Sequence, residues 1–197
     1  MMLRLLSILC NLMIFCSTLA IIIGFCCREG RWDREKCRTI FRYFTCQSNV
    51  LCAIAAGLMA VSQLFGTIPW IIWMLKYMGT VSVTMTLMTV LLFLGPTMGG
   101  YKELMAGANL YLHLIGPILA IISFCFCEKG NMDIPTALWG LVPVMAYGLL
   151  YLYKVIYAPP EKRWEDFYGF NRGGKWPVSY AAMIAATVII CMVLRVL

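Results

Sequence analysis

Leu104-Met-Ala-Gly-Ala-Asn109-Leu-Tyr-Leu-His113-Leu-Ile-Gly116-Pro117-Ile-Leu-Ala-Ile-Ile-Ser-Phe-Cys-Phe-Cys127 runs without a single Asp, Glu, Lys or Arg. Crossing the hydrocarbon of a bilayer takes about 20 apolar residues, and this stretch is long enough. A β-barrel strand would be short and alternating, whereas this run is continuous, so it reads as a helix. Five further runs have the same character: Leu3–Cys27, Arg38–Phe65, Pro69–Leu94, Pro135–Tyr157 and Pro177–Leu197. The expected fold is therefore all-α, a single bundle of six transmembrane helices spanning residues 1–197, with no soluble domain. Composition agrees: 62% of residues are hydrophobic and only 13% charged, against roughly 25% charged in a soluble domain. Met1 to Phe15 has the charged start and apolar run of a signal peptide. The run continues to Cys27 without a small-residue cleavage site, and it reads as a first span.

Proline and glycine punctuate these runs. Pro69, Pro135 and Pro177 stand where a first helical turn tolerates proline. Gly95-Pro96 reads as the end of the third span and Pro159-Pro160 as the exit from the fifth. Pro117 and Pro143 fall inside spans and predict kinks. Most of the ten cysteines lie in spans as small apolar side chains, so they do not read as a disulfide framework. His113 is the only histidine, which leaves no bis-His haem, no zinc cluster and no HExxH motif. No cofactor or metal is expected.

Basic residues set the expected orientation. Arg28, Arg31, Arg34, Lys36, Arg38, Arg42, Lys102, Lys154, Lys162, Arg163, Arg172 and Lys175 fall on the face of loops 1–2, 3–4 and 5–6. Arg4, Lys76, Lys129 and Arg195 fall on the other. The basic loops are expected in the cytoplasm and both termini outside. The net charge of +7 is mostly this asymmetry, which suits anionic lipid headgroups. The charges are scattered over short loops, which argues against nucleic acid as a partner.

Polar residues inside the spans nominate a site. Read as one continuous helix, the second span places Arg38, Arg42, Thr45, Ser48, Asn49 and Cys52 on one stripe with Gln47 beside it. Such a stripe must face the bundle interior, either as interhelical glue or as a functional surface. In the fourth span Asn109 and His113 share a face. Thr45 is seven residues past Arg38, so roughly 10 Å in, and His113 is ten past Glu103, so roughly 15 Å in. If the two helices are neighbours, a hydroxyl and an imidazole at one level are the parts of a nucleophile–base pair, with Asn109 or Asn49 left to orient the ring. Lys76, Thr80 and Thr84 share a face of the third span. The ordinary reading lets the hydroxyls bond their own helix and the lysine snorkel outward.

Three blocks carry a resemblance. Phe41-Arg-Tyr-Phe-Thr45-Cys-Gln-Ser-Asn49, Asn109-x-x-x-His113-x-x-x-Pro117 and the aromatic loop Trp164 to Phe170 resemble, in order, motifs of bacterial relatives of the androgen-induced membrane protein family. The loop has Gly169 where that family often has Pro. Animal members are described as intramembrane threonine hydrolases of fatty acid esters of hydroxy fatty acids. The resemblance implies Thr45 as nucleophile and His113 as base, with Arg42, Gln47, Ser48, Asn49, Asn109, Asp166 and Tyr168 binding or orienting a substrate. It implies membrane lipids or fatty acyl esters as partners. Two other readings stay open. The polar stripes of spans two and three could line a transport pathway with His113 as proton relay, or the pocket could bind lipid without turnover.

Overall fold

The computed structural model describes residues 2–97 and 99–197. It is an all-α bundle containing six helices long and apolar enough to cross a membrane. These are α1 (Met2–Cys26), α3 (Phe44–Phe65), α4 (Trp70–Thr97), α5 (Ala108–Glu128), α6 (Ile134–Tyr157) and α7 (Trp176–Val196). A shorter α2 (Arg34–Ile40) precedes α3, and a two-stranded hairpin, β1 (Cys27–Arg28) and β2 (Arg31–Trp32), turns the chain between α1 and α2. All six long helices match the expected runs, with boundaries shifted by a few residues in five of them and by six at the start of the second.

The largest shift decides the site. The second span is not one helix from Arg38. Asp33 caps α2 by accepting the Glu35 and Lys36 backbone N–H groups, and those bonds, led by the one from Lys36, hold its carboxyl below the usual range. The chain then breaks at Phe41–Tyr43, and α3 begins at Phe44. Gln47 Nε2 donates to the Phe41 carbonyl at 2.7 Å, and the Tyr147 hydroxyl donates to the Arg42 carbonyl at 2.8 Å. Two carbonyls that a continuous helix would have used internally are thus answered by side chains. The expected single stripe from Arg38 to Cys52 is accordingly wrong. Arg38 and Arg42 precede the break, while Thr45 lies in the first turn of α3 rather than 10 Å along a helix.

The fourth span shifts in the same way. It starts at Ala108, because Gly107 takes a φ of 55° that ends helical backbone before it. Within α5, residues Tyr111–Ile115 widen into a π-helical turn closed by the Gly116 N–H on the Tyr111 carbonyl. Pro117 has no N–H to return toward His113, and the widened turn absorbs that missing bond. The third span does the same: Val90–Leu94 is π-helical, the Gly95 N–H reaches the Val90 carbonyl, and the helix continues past Pro96 to Thr97 instead of stopping at Leu94. The second interior proline, Pro143, follows a tightened turn at Trp139–Gly140, where N–H groups reach back three residues. Pro69 caps α4, and Pro135 and Pro177 sit in first turns as expected.

The helix α4 is central. It packs on α3 and α5 on one side and on α6 and α7 on the other, with α1 lying along α3. Met74, Tyr77, Val81, Phe124, Cys191 and Leu194 form the largest buried cluster between α4, α5 and α7. Close approach of α3 and α4 depends on Gly79: a Cβ there would stand 2.8 Å from Cys52 Cα, a backbone atom that cannot move aside alone. We expect Gly79→Val to lower the thermal unfolding midpoint in detergent, at a cost of about 1–3 kcal/mol. At Gly24, where an added Cβ meets nothing within 4 Å, Gly24→Ala should leave the midpoint unchanged within error.

Candidate functional site

Successive helices run up and down, so the starts of α3, α5 and α7 share one end of the bundle with the hairpin. At that end Thr45 Oγ1 lies 3.4 Å from His113 Nε2. The two residues stand 68 positions apart in the chain, and the site exists only because the first turn of α3 meets the π-helical turn of α5. His113 is 8% exposed, and Thr45 is half-buried.

The orienting group is not the one expected. His113 Nδ1 is 2.6 Å from the Leu104 carbonyl, in the turn that precedes α5. A carbonyl only accepts, so Nδ1 carries a proton, and in the neutral ring Nε2 is the nitrogen left to accept from Thr45. Asn109 takes no part: its side chain reaches back to the Glu103 carbonyl at 3.5 Å. The π-helical turn rotates His113 away from the face a regular helix would give it beside Asn109. No sequence signal marks Leu104, because the contribution is a backbone oxygen.

The remaining nominated residues divide by what they touch. Asn49 Nδ2 donates to the Thr45 carbonyl at 2.8 Å and to the Leu112 carbonyl at 3.1 Å, tying α3 to α5 beside Thr45 and His113. Ser48 Oγ pairs with Thr86 Oγ1 at 2.8 Å and fastens α3 to α4. Gln47 and Arg42 hold the break described above. Asp166 accepts the Tyr151 hydroxyl and the Phe170 N–H on Oδ1 and the Asn171 N–H on Oδ2. It therefore folds the aromatic loop rather than facing the pair. Tyr168 sits between them: its hydroxyl accepts the Phe44 N–H at 3.1 Å, and burial pushes its phenol up to about 12. Tyr147 and Tyr151, missed in the sequence, complete this wall; tyrosines four apart in an apolar run were their signal.

Phe44 N–H goes to Tyr168, and Gln47 N–H returns to the Tyr43 carbonyl. Those of Thr45 and Cys46 lie in the first helical turn, where no intrahelical acceptor exists, and Tyr43 supplies no side-chain cap. The positive end of the α3 dipole thus surrounds the Thr45 hydroxyl, a setting suited to developing negative charge. Beside Thr45 opens an apolar cavity of about 410 Å³, walled by α4, α6, α7 and the aromatic loop through Met88, Leu92, Val144, Met183 and Phe170. No group of three or more His, Cys, Asp or Glu able to hold a metal occurs among the described residues.

Fold and site together define an all-α, multi-pass membrane protein with a hydroxyl–imidazole pair beside an apolar cavity. Compared with known proteins, the chain matches no family model, no curated protein and no solved structure. Asn49 is the bond that the pair's geometry leans on most. Asn49→Ala should lower stability by about 1–3 kcal/mol, because the Leu112 carbonyl loses its side-chain donor while the Thr45 carbonyl keeps the Ser48 hydroxyl, measured by thermal unfolding in detergent. Asn109→Ala, whose only bond is long and exposed, should change the midpoint by less than about 0.5 kcal/mol.

Proposed function

We propose that this protein is an intramembrane lipid-ester hydrolase with Thr45 as nucleophile and His113 as general base. One observation carries the reading: Thr45 Oγ1 stands 3.4 Å from His113 Nε2, while the other ring nitrogen is fixed on a backbone carbonyl. A threonine hydroxyl is a weak nucleophile and needs a base at about 2.6–3.2 Å in the reacting state, a distance that often tightens only with substrate bound. The hydroxyl attacks an ester carbonyl, its proton passes to His113 Nε2, and the N–H groups of the first α3 turn receive the oxyanion. The imidazolium then protonates the departing alcohol, leaving an acyl-threonine. Water, deprotonated by the same imidazole, attacks the acyl carbon, and the imidazolium returns that proton to Thr45 Oγ1 as the acyl–oxygen bond breaks and the acid leaves.

The cavity supports an acyl substrate, since its walls are almost wholly apolar and it opens beside Thr45. The resemblance to bacterial relatives of the androgen-induced membrane protein family points the same way, toward fatty acid esters of hydroxy fatty acids. We further propose a bacterial cytoplasmic membrane location with the hairpin end, and so the site, on the cytoplasmic side. The positive-inside distribution favours that orientation. Binding of lipid without turnover is the second reading, because the same cavity would serve it.

A fluorophosphonate probe tests the nucleophile. We expect labelling of the wild-type protein at Thr45, none of Thr45→Ala, and a rate about 10²–10⁴-fold lower for His113→Gln. Equal labelling of wild type and Thr45→Ala removes Thr45 from the role. Lipid retained by an unlabelled wild-type protein favours the binding reading.

A further inference from the structure

At the end of the bundle away from Thr45, a second polar centre is closed inside the helices. Lys76 was expected to snorkel outward, and it does the opposite. Its side chain is wholly buried, and so is that of Glu128, 3.8 Å away from Nζ to Oε2. Seven residues past Pro69, Lys76 is too deep for its ammonium to reach the nearer surface without crossing the packed faces of α1 and α5. Four helices build its surroundings. Ser7 Oγ and Ser123 Oγ each donate to Glu128 Oε1 at 2.6 Å, and Asn11 Nδ2 donates to the same oxygen. Asn11 Oδ1 then accepts from Lys76 Nζ at 2.7 Å. Gln63 Nε2 donates to Ser7 Oγ at 2.8 Å.

Counting donors against acceptors gives this centre its character. Three neutral donors converge on one oxygen of the Glu128 carboxyl. The other oxygen, Glu128 Oε2, and the amide oxygen Gln63 Oε1 are buried with no hydrogen-bond donor. With Asn11 Oδ1, three oxygens from α1, α3 and α5 belong to the same cluster, and only one of them is bonded to the lysine. Two of these oxygens, Asn11 Oδ1 and Glu128 Oε2, face the ammonium at 2.7 and 3.8 Å, one neutral and one from a carboxyl, which is an acceptor set that receives a single ammonium. The ammonium brings the local charge to zero, so a second cation alongside it would leave one uncompensated charge in a low dielectric.

We propose that the ends of α1, α3, α4 and α5 form a recognition site for a small ammonium cation, which Lys76 fills from within the chain. The ligand class is a primary alkylammonium. Trimming Lys76 to alanine removes three carbons and the ammonium, the outline of n-propylammonium. The site lies some eighteen residues along α3 from Thr45, roughly 27 Å, so the inference does not rest on the hydrolase reading.

Thermal unfolding of the full chain in detergent, with n-propylammonium chloride and with n-propanol as the uncharged control, tests it. Wild type should show no shift with the amine beyond that with the alcohol. Lys76→Ala should unfold at lower temperature and recover on the order of 5 °C or more with the amine alone. Should Lys76→Ala fold too poorly to measure, its folded yield when prepared with amine against alcohol gives the same readout. Lys76→Ala combined with Glu128→Gln removes both charges and should lose the amine response. Equal responses to amine and alcohol, or an amine response undiminished in the double variant, would overturn the proposal.

Discussion

Hydrocarbon offers no hydrogen bonds, so every polar group this chain carries into the bundle must be answered by another part of the chain. That requirement shapes both ends of the molecule. At one end Glu128 gathers Ser7, Asn11 and Ser123 onto a single oxygen and meets the Lys76 ammonium across the bundle. At the other, broken helix ends free backbone carbonyls, and side chains close on them: Gln47 on Phe41, Tyr147 on Arg42, Asn49 on Leu112 and His113 on Leu104. Serine and threonine along the middle of α4 mostly bond their own helix, with Thr80, Ser82 and Thr84 each reaching the carbonyl four residues back.

The pairing of Thr45 with His113 follows from the same requirement. The break before Phe44 places Thr45 at a helix N-terminus, where backbone N–H groups lack acceptors and positive potential collects. The π-helical turn forced by Pro117 places His113 where its Nδ1 finds the Leu104 carbonyl and its Nε2 finds Thr45. Neither irregularity is a defect of packing. Each moves a side chain that regular helix would have aimed elsewhere, and the two displacements bring the side chains to 3.4 Å.

Much of the fold was legible because one signal, apolar length, dominates in a membrane chain. The six runs, the capping prolines and the pairing of Thr45 with His113 could all be read from residue type, spacing and resemblance. The second span was read too long because Arg38 and Arg42 stand at helical spacing from Thr45, and spacing does not reveal that the carbonyls between them bond to side chains. Asn109 was read as the histidine's support because four residues is one helical turn, and a widened turn breaks that rule. Lys76 was read as an outward lysine because an isolated charge near a span end is usually solvated. Its partner Glu128 lies in another helix, 52 positions on in the chain.

By itself, the sequence determined that the chain is a six-helix membrane bundle, where those helices begin and end to within a few residues, and which polar side chains enter hydrocarbon. Tertiary structure alone decided what each of them faces. The helical period places a residue on a face of its own helix, but a partner from another helix or a freed carbonyl is fixed only when the helices pack. The same period could not show that Leu104 orients His113, that Asp166 folds a loop instead of facing the pair, or that Lys76 and Glu128 neutralise each other inside the bundle.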